Sequence, residues 1–157
     1  MSLAFSEDTR ARHERMLARY PNREAAILPT LHLAQREFGH LSAEAIAYVA
    51  SLLGFPPARV EGVATFYTMY NRKPVGKYHL QVCRNLSCSL MGAEHLIEHV
   101  AGRLGVRPGE TTADGKFTLS TVECLGSCGT APVMQVNDDY YEDLSEDKVD
   151  AILDGLR

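Results

Sequence analysis

Residues 78–104 read YHLQVCRNLSCSLMGAEHLIEHVAGRL. The hydrophobic period changes inside this stretch. Tyr78, Leu80 and Val82 alternate with His79 and Gln81, the two-residue repeat of a strand. After Ser89, a residue suited to capping, Ala93, Leu96, Ile97, Val100, Ala101 and Leu104 recur at helical spacing. A helix is therefore expected over about 90–104. Strand and helix are joined by a turn that carries Cys83 and Cys88.

Working outward toward the C-terminus, residues 105–116 (GVRPGETTADGK) have loop composition. Phe117 to Glu123 reads as a second strand ending at Cys124, and Val133 to Val136 as a third. Asn137, Asp138 and Asp139 make a turn into a short fourth strand at Tyr140–Glu142. Ser145 caps a last helix, with Leu144 and Val149 placed as a hydrophobic staple and Val149, Ile152, Leu153 and Leu156 on its buried side. The order β-α-β-β-α is that of a thioredoxin-like domain with a four-stranded mixed sheet, here over about 73–157. Pro132, just before the third strand, stands where such folds often carry a cis proline.

Toward the N-terminus the pattern is helical throughout. Helices are expected over 6–20 and 23–38, the second capped by Asn22 with Pro29 kinking or delaying its start. Ser42 caps a third over 43–53, stopped by Gly54, and Pro56-Pro57 opens a fourth striped by Val60, Val63, Ala64 and Tyr67. NRKPVG, residues 71–76, is turn chemistry and marks the boundary. The expected fold is α+β: an N-terminal helical bundle, 1–72, followed by the thioredoxin-like domain.

Length and composition narrow the function. The chain has 157 residues, 45% of them hydrophobic, with a formal net charge of −4. Acids and bases are mixed, and no basic run tracks a phosphate backbone, so nucleic acid is not an expected partner. No apolar stretch has signal-peptide or membrane-span length, so a cytoplasmic location without membrane insertion is expected. In that compartment thiols stay reduced, which favours metal or catalytic roles over disulfides.

All four cysteines fall in two pairs: Cys83 and Cys88 as C-x4-C, Cys124 and Cys128 as C-x3-C. Each pair sits where a strand ends and a turn begins, and strand ends of one sheet can lie close in space. Two disulfides, or a zinc-stabilised interaction module with no redox role, are compatible with the count. A thioredoxin-type dithiol needs C-x-x-C, which neither pair has. The loop chemistry favours a [2Fe–2S] cluster held by four thiolates. Gly126 and Gly129 can turn backbone amides toward sulfur, residues 84–87 can do the same, and Ser89 adds a hydroxyl. A helix starting near Leu90 would aim its positive end at Cys88. Leu86 and Leu125 would shield the iron.

Residues 114–132, DGKFTLSTVECLGSCGTAP, carry a more specific pattern. They resemble the signature of the family of small thioredoxin-like [2Fe–2S] subunits of NADH:quinone oxidoreductase, respiratory complex I. Asp114, Phe117, Thr118, Cys124, Leu125, Gly126, Cys128, Ala131 and Pro132 match it. The upstream stretch EGVATFYTMYNRKPVGKYHLQVC, the C-x4-C pair and Gly92 are also similar to that family. The resemblance implies that Cys83, Cys88, Cys124 and Cys128 ligate the cluster. It further implies one-electron exchange with the flavin of a partner subunit that binds FMN and NADH, beside further iron–sulfur subunits, in a peripheral arm on the cytoplasmic face of the membrane. The same module occurs in NAD-linked hydrogenases and formate dehydrogenases. The residues agree that a partner is needed: there is no G-x-G-x-x-G after a strand, so no complete active site is expected on this chain.

Four further signals read as structural. His95, Glu98 and His99 spell H-x-x-E-H, but Leu96, Ile97 and Val100 define the buried side of their helix, which leaves them near the polar face. His79 reads as a strand residue rather than a ligand. Phe66, Tyr67 and Tyr70 read as mostly core, with the less buried of them suited to a subunit contact, and Glu142, Asp143, Glu146, Asp147 and Asp150 as a solvated acidic end.

Overall fold

The computed structural model describes residues 3–156. The chain divides into two compact units, Met1–Pro74 and Val75–Arg157.

The first unit is four helices: α1 (Glu7–Leu17), α2 (Ile27–Phe38), α3 (Ala43–Leu53) and α4 (Pro57–Phe66). Leu31, Leu41, Val49, Leu53 and Val60 are fully buried between them. The ends follow local chemistry. Ser42 caps α3 by accepting from the Ala45 N–H at 3.1 Å, and Gly54 closes it in the left-handed conformation. Pro29 delays α2 rather than kinking it. It lies in the first turn, where its missing N–H costs no helical bond. The Asn22 cap serves the turn before α2, accepting from the Ala25 N–H at 2.8 Å. The first helix is shorter than the 6–20 expected, because beyond Leu17 the amides of Arg19 and Tyr20 bond back only three residues. The aromatic cluster is a second correction. Tyr70 is buried and donates to the Leu28 carbonyl at 2.8 Å, but Phe66 is 77% exposed and Tyr67 lies partly open.

The second unit is a mixed sheet of β1 (Tyr78–Cys83), β2 (Phe117–Val122), β3 (Met134–Val136) and β4 (Asp139–Tyr141), in the order β2-β1-β3-β4. β1 and β2 are parallel, with Cys83 opposite Val122; β3 is antiparallel to β1 and to β4. A parallel pair needs a crossover, supplied by the short α5 (Leu86–Leu90) and by α6 (Ala93–Leu104). Leu96 and Val100 of α6, with Val149 and Leu153 of α7 (Glu146–Gly155), pack on Leu80, Val82, Phe117, Leu119, Met134 and Val136. The staple forms as expected: Ser145 accepts from the Lys148 N–H at 3.3 Å, and Leu144 and Val149 share this core.

Two local readings are revised. The helix expected from about residue 90 is divided by Gly92, which takes a left-handed φ of 92° and starts α6 at Ala93. Cys88 therefore lies inside α5 instead of ahead of a long helix, and the Ser89 hydroxyl bonds the Glu94 carboxylate. The loop over 105–116 is also more ordered than its composition suggests. Residues 109–112 run back along β2: Gly109 N–H donates to Leu119 O at 2.7 Å and Thr112 N–H to Phe117 O at 2.8 Å.

Candidate metal centre

The two cysteine loops lie at one end of the sheet. Cys83 is the last residue of β1, and its N–H donates to Val133 O at 3.0 Å. The ladder runs one step further, with Arg84 N–H donating to Val122 O at 2.9 Å. Asn85 then caps α5, its Oδ1 accepting from the Leu86 N–H at 2.7 Å. With these amides engaged, the expectation that residues 84–87 turn their N–H groups toward sulfur is not met at Arg84 and Leu86. The cap places Cys88 one turn on, beside Cys83.

Cys83 and Cys88 are 4% and 3% exposed and pack with Ala93, Ala131 and Val133, with Val122 and Leu125 against them. Burial, the Cys83 thiol beside it and the nearby charges of Cys83 and Cys128 push the Cys88 thiol up to about 11. The pocket therefore penalises bare thiolate, and a cation is what would offset that penalty.

The second loop follows β2. Arg84 Nε and Nη2 lie 3.0 and 2.8 Å from Glu123 Oε1, tying the residue after Cys83 to the residue before Cys124. Gly126, at φ 77°, turns its N–H to the Cys124 sulfur at 3.3 Å. Gly129 does not share that conformation. It lies in a 3-10 turn, Cys128–Thr130, which meets α5. Ala131–Pro132 is cis, and Val133 follows into β3.

Cys124 and Cys128 are exposed, whereas Cys83 and Cys88 are buried. The structure thus gathers Cys83, Cys88 and Cys128 within electrostatic reach, and leaves the Cys124 sulfur bonded to its own loop. Among the described residues no three Cys, His, Asp or Glu side chains form a group able to hold a metal ion as they stand. Three of the four thiols are neighbours, and Cys124 sits on the same loop as Cys128. Their chemistry fits an iron–sulfur centre: thiolate donors, an amide aimed at sulfur, and an apolar wall on one side. Leu125 belongs to that wall, but Leu86 does not, being 71% exposed.

The sequence profile of the thioredoxin-like [2Fe–2S] ferredoxins matches residues 13–157. The chain belongs to this family. Its cofactor is a [2Fe–2S] cluster. The chain is 51% identical over 144 residues to an NADH-quinone oxidoreductase subunit of Rhizobium meliloti, covering 92% of this chain and 86% of that one. It is 52% identical over 147 residues to the corresponding subunit of Rickettsia conorii, covering 92% and 88%. A third relative, a subunit of the NADH-quinone oxidoreductase of Thermus thermophilus, is 48% identical over 158 residues, covering 99% and 87%. Among solved structures, a chain of an air-oxidized NAD+-reducing [NiFe]-hydrogenase superposes with a TM-score of 0.73 at 24% identity, over 83% of this chain and 22% of that one. At that identity the likeness shows the fold alone.

In this thioredoxin-like [2Fe–2S] ferredoxin, the remaining signals are engaged with other side chains. His79 is buried on β1 with Nε2 at 2.8 Å from Ser120 Oγ, and burial holds its pKa below the ordinary value. His99 joins α6 to α7, with Nε2 2.8 Å from Asp150 Oδ1. The acidic end is more than a solvated face: Asp150 also pairs with Arg103 at 3.2 Å, and Glu142 accepts hydrogen bonds from Ser127 and from Thr130. Sequence reading misses the Asn85 cap, the Arg84–Glu123 pair and the role of Glu142. The cap has a local signal, an Asn immediately before LSCSL. The pair spans 39 positions, and Glu142 reaches back 15 positions to Ser127 and 12 to Thr130, with no periodicity to announce either. Among the described residues no helix is long and apolar enough to cross a membrane.

Proposed function

We propose that the chain is the electron-transfer subunit of an NADH-quinone oxidoreductase and holds its [2Fe–2S] cluster with Cys83, Cys88, Cys124 and Cys128. The observation that carries the assignment is the meeting of α5 with the 3-10 turn, which sets Cys128 beside the buried Cys83 and Cys88. Identities near 50% to curated subunits of that enzyme, over nearly the full chain, support the assembly.

The cluster supplies one-electron chemistry; the chain supplies its setting. Cys83 and Cys88 give up their protons on loading, a step disfavoured at Cys88 until positive charge arrives. Val122, Leu125, Ala131 and Val133 keep water from the inner side. The Gly126 amide faces the Cys124 sulfur and stabilises negative charge there. The outer side is open. Cys124 and Cys128 are exposed, and on or just after α5, which meets the 3-10 turn, Leu86, Leu90 and Met91 are 71, 78 and 62% exposed. An apolar rim of that kind suits a protein partner. That partner is the flavin- and NADH-binding subunit, whose flavin splits a hydride's electron pair into single electrons.

A second reading is the equivalent subunit of an NAD-linked hydrogenase or formate dehydrogenase, where the family resemblance puts the same module; the fold shared with an NAD+-reducing [NiFe]-hydrogenase chain is compatible with it. Pull-down of the tagged chain from its native cell extract, with mass spectrometry of what it retains, decides. A flavoprotein with quinone-reductase subunits is expected. Hydrogenase or formate dehydrogenase subunits would replace the assembly assigned, and a colourless chain binding no flavoprotein would overturn the function.

A further inference from the structure

The loop bearing Cys124 and Cys128 is held from outside. Tyr140 Oη donates to Leu125 O at 3.1 Å, Asp143 N–H to Thr130 O at 2.8 Å, and Leu144 N–H to Pro132 O at 3.1 Å. Between these bonds stands Glu142. Its Oε1 accepts from Ser127 Oγ and from Thr130 Oγ1, the latter at 2.8 Å. Each hydroxyl has one proton to give. Thr130 Oγ1 also lies 3.2 Å from Ser127 O and 3.0 Å from Ser127 Oγ, but the carboxylate is the nearest and the only charged acceptor of the three. Both protons therefore go to Glu142, and the bonds hold its carboxyl below the ordinary carboxylate value.

We propose that Glu142 is the positioning residue of the second cysteine loop: one carboxylate oxygen gathers Ser127 and Thr130, and so fixes where Cys124 and Cys128 present their sulfurs. Without it, the Thr130 proton falls back on Ser127 O, a bond inside the loop that leaves the loop's side chains untied from residue 142. The neighbouring backbone bonds of Asp143 and Leu144 remain, so the loop loosens without unfolding. That this loop presents cluster ligands rests on the function proposed above; that Glu142 holds it does not.

The test measures hydrogen exchange in the metal-free full chain and release of iron to a chelator from the loaded chain. Glu142→Ala should speed exchange of the amides over 127–130 about three- to tenfold, the worth of ordinary hydrogen bonds, while α6 keeps its protection. Iron should leave the loaded variant faster by a similar factor. Glu142→Gln keeps a carbonyl oxygen where Oε1 stood but not its charge, so its exchange and iron release should fall between those of Glu142→Ala and wild type. It also removes a negative charge near the cluster, and should raise the midpoint potential in an EPR-monitored titration. Three results would overturn the proposal: wild-type exchange in Glu142→Ala, Glu142→Gln exchanging as fast as Glu142→Ala, or faster exchange spread equally over α6. A wild-type chain that takes up no iron would sink the ligand assignment, and exchange would still decide the part played by Glu142.

Discussion

The two cysteine loops are held in place by different means. The first, Cys83 to Cys88, is built from its own neighbourhood: the β1 ladder ends in it, Asn85 caps it, and both thiols are buried. The second, Cys124 to Cys128, has exposed thiols and is fastened by residues far along the chain, Tyr140, Glu142, Asp143 and Leu144. Local construction gives a loop that is formed before any ligand arrives. Remote construction gives a loop that is tied down from a distance while its two thiols stay open to solvent.

That contrast can be broken at its largest effect by serine substitution. Cys88→Ser should leave no cluster, because a buried rigid site cannot recruit another ligand. Cys124→Ser should retain a fraction of the iron with a shifted visible spectrum, since an exposed loop can adapt to oxygen ligation. Iron analysis and absorption spectra of the purified variants would show it, and equal, complete loss in both would erase the distinction.

Next in size is thiol reactivity in the metal-free chain. A Cys88 thiol raised from 9.0 to about 11 carries roughly a hundredfold less thiolate at neutral pH than an ordinary cysteine. Mass-spectrometric timing of iodoacetamide labelling should find Cys88 slow and Cys124 and Cys128 fast. Four similar rates would mean that the first loop is not preformed.

A smaller effect separates the two kinds of support. Asn85→Ala removes the cap of α5 and should cost about 1 kcal/mol in a urea titration of the metal-free chain. Its disturbance should stay within the first loop by hydrogen exchange, as that of Glu142→Ala should stay within the second.

The smallest effect is in pH. Hydrogen bonds from Ser127 and Thr130 hold the Glu142 carboxyl below its ordinary 4.5. A folded-state value below the unfolded one favours the folded chain above the ordinary value and fades as pH falls through the lowered one. The urea-midpoint gap between wild type and Glu142→Ala should therefore be constant from pH 7 to about 5 and shrink below 4.5. A gap that widens in acid would contradict the hydrogen bonds assigned to Glu142.

The same contrast explains what can be read from the amino-acid sequence. The strand before Cys83, the staple of Leu144 and Val149, and the Ser42 and Gly54 boundaries are local patterns, and the structure places them as read. Gly92 escapes notice as a break because Leu90 and Met91 before it are apolar like the helix face that begins at Ala93, so the composition does not mark the interruption. Phe66 reads as core because it neighbours Tyr70 in sequence, yet α4 ends there and its side chain points to solvent. Glu142 looks like one more surface acid, since nothing near it in sequence names Ser127 as its partner. Among the candidate site residues, the cysteine types and their spacing are legible. Which of them are buried is not, because that depends on how β1, α5 and the 3-10 turn pack.

The most direct test is to purify the full chain anaerobically, assay iron and acid-labile sulfide, and record the EPR spectrum after reduction. If both loops close on one centre, each chain carries a single [2Fe–2S] cluster and gives a rhombic one-electron signal. A colourless chain with zinc in place of iron, or iron without labile sulfide, would contradict the account.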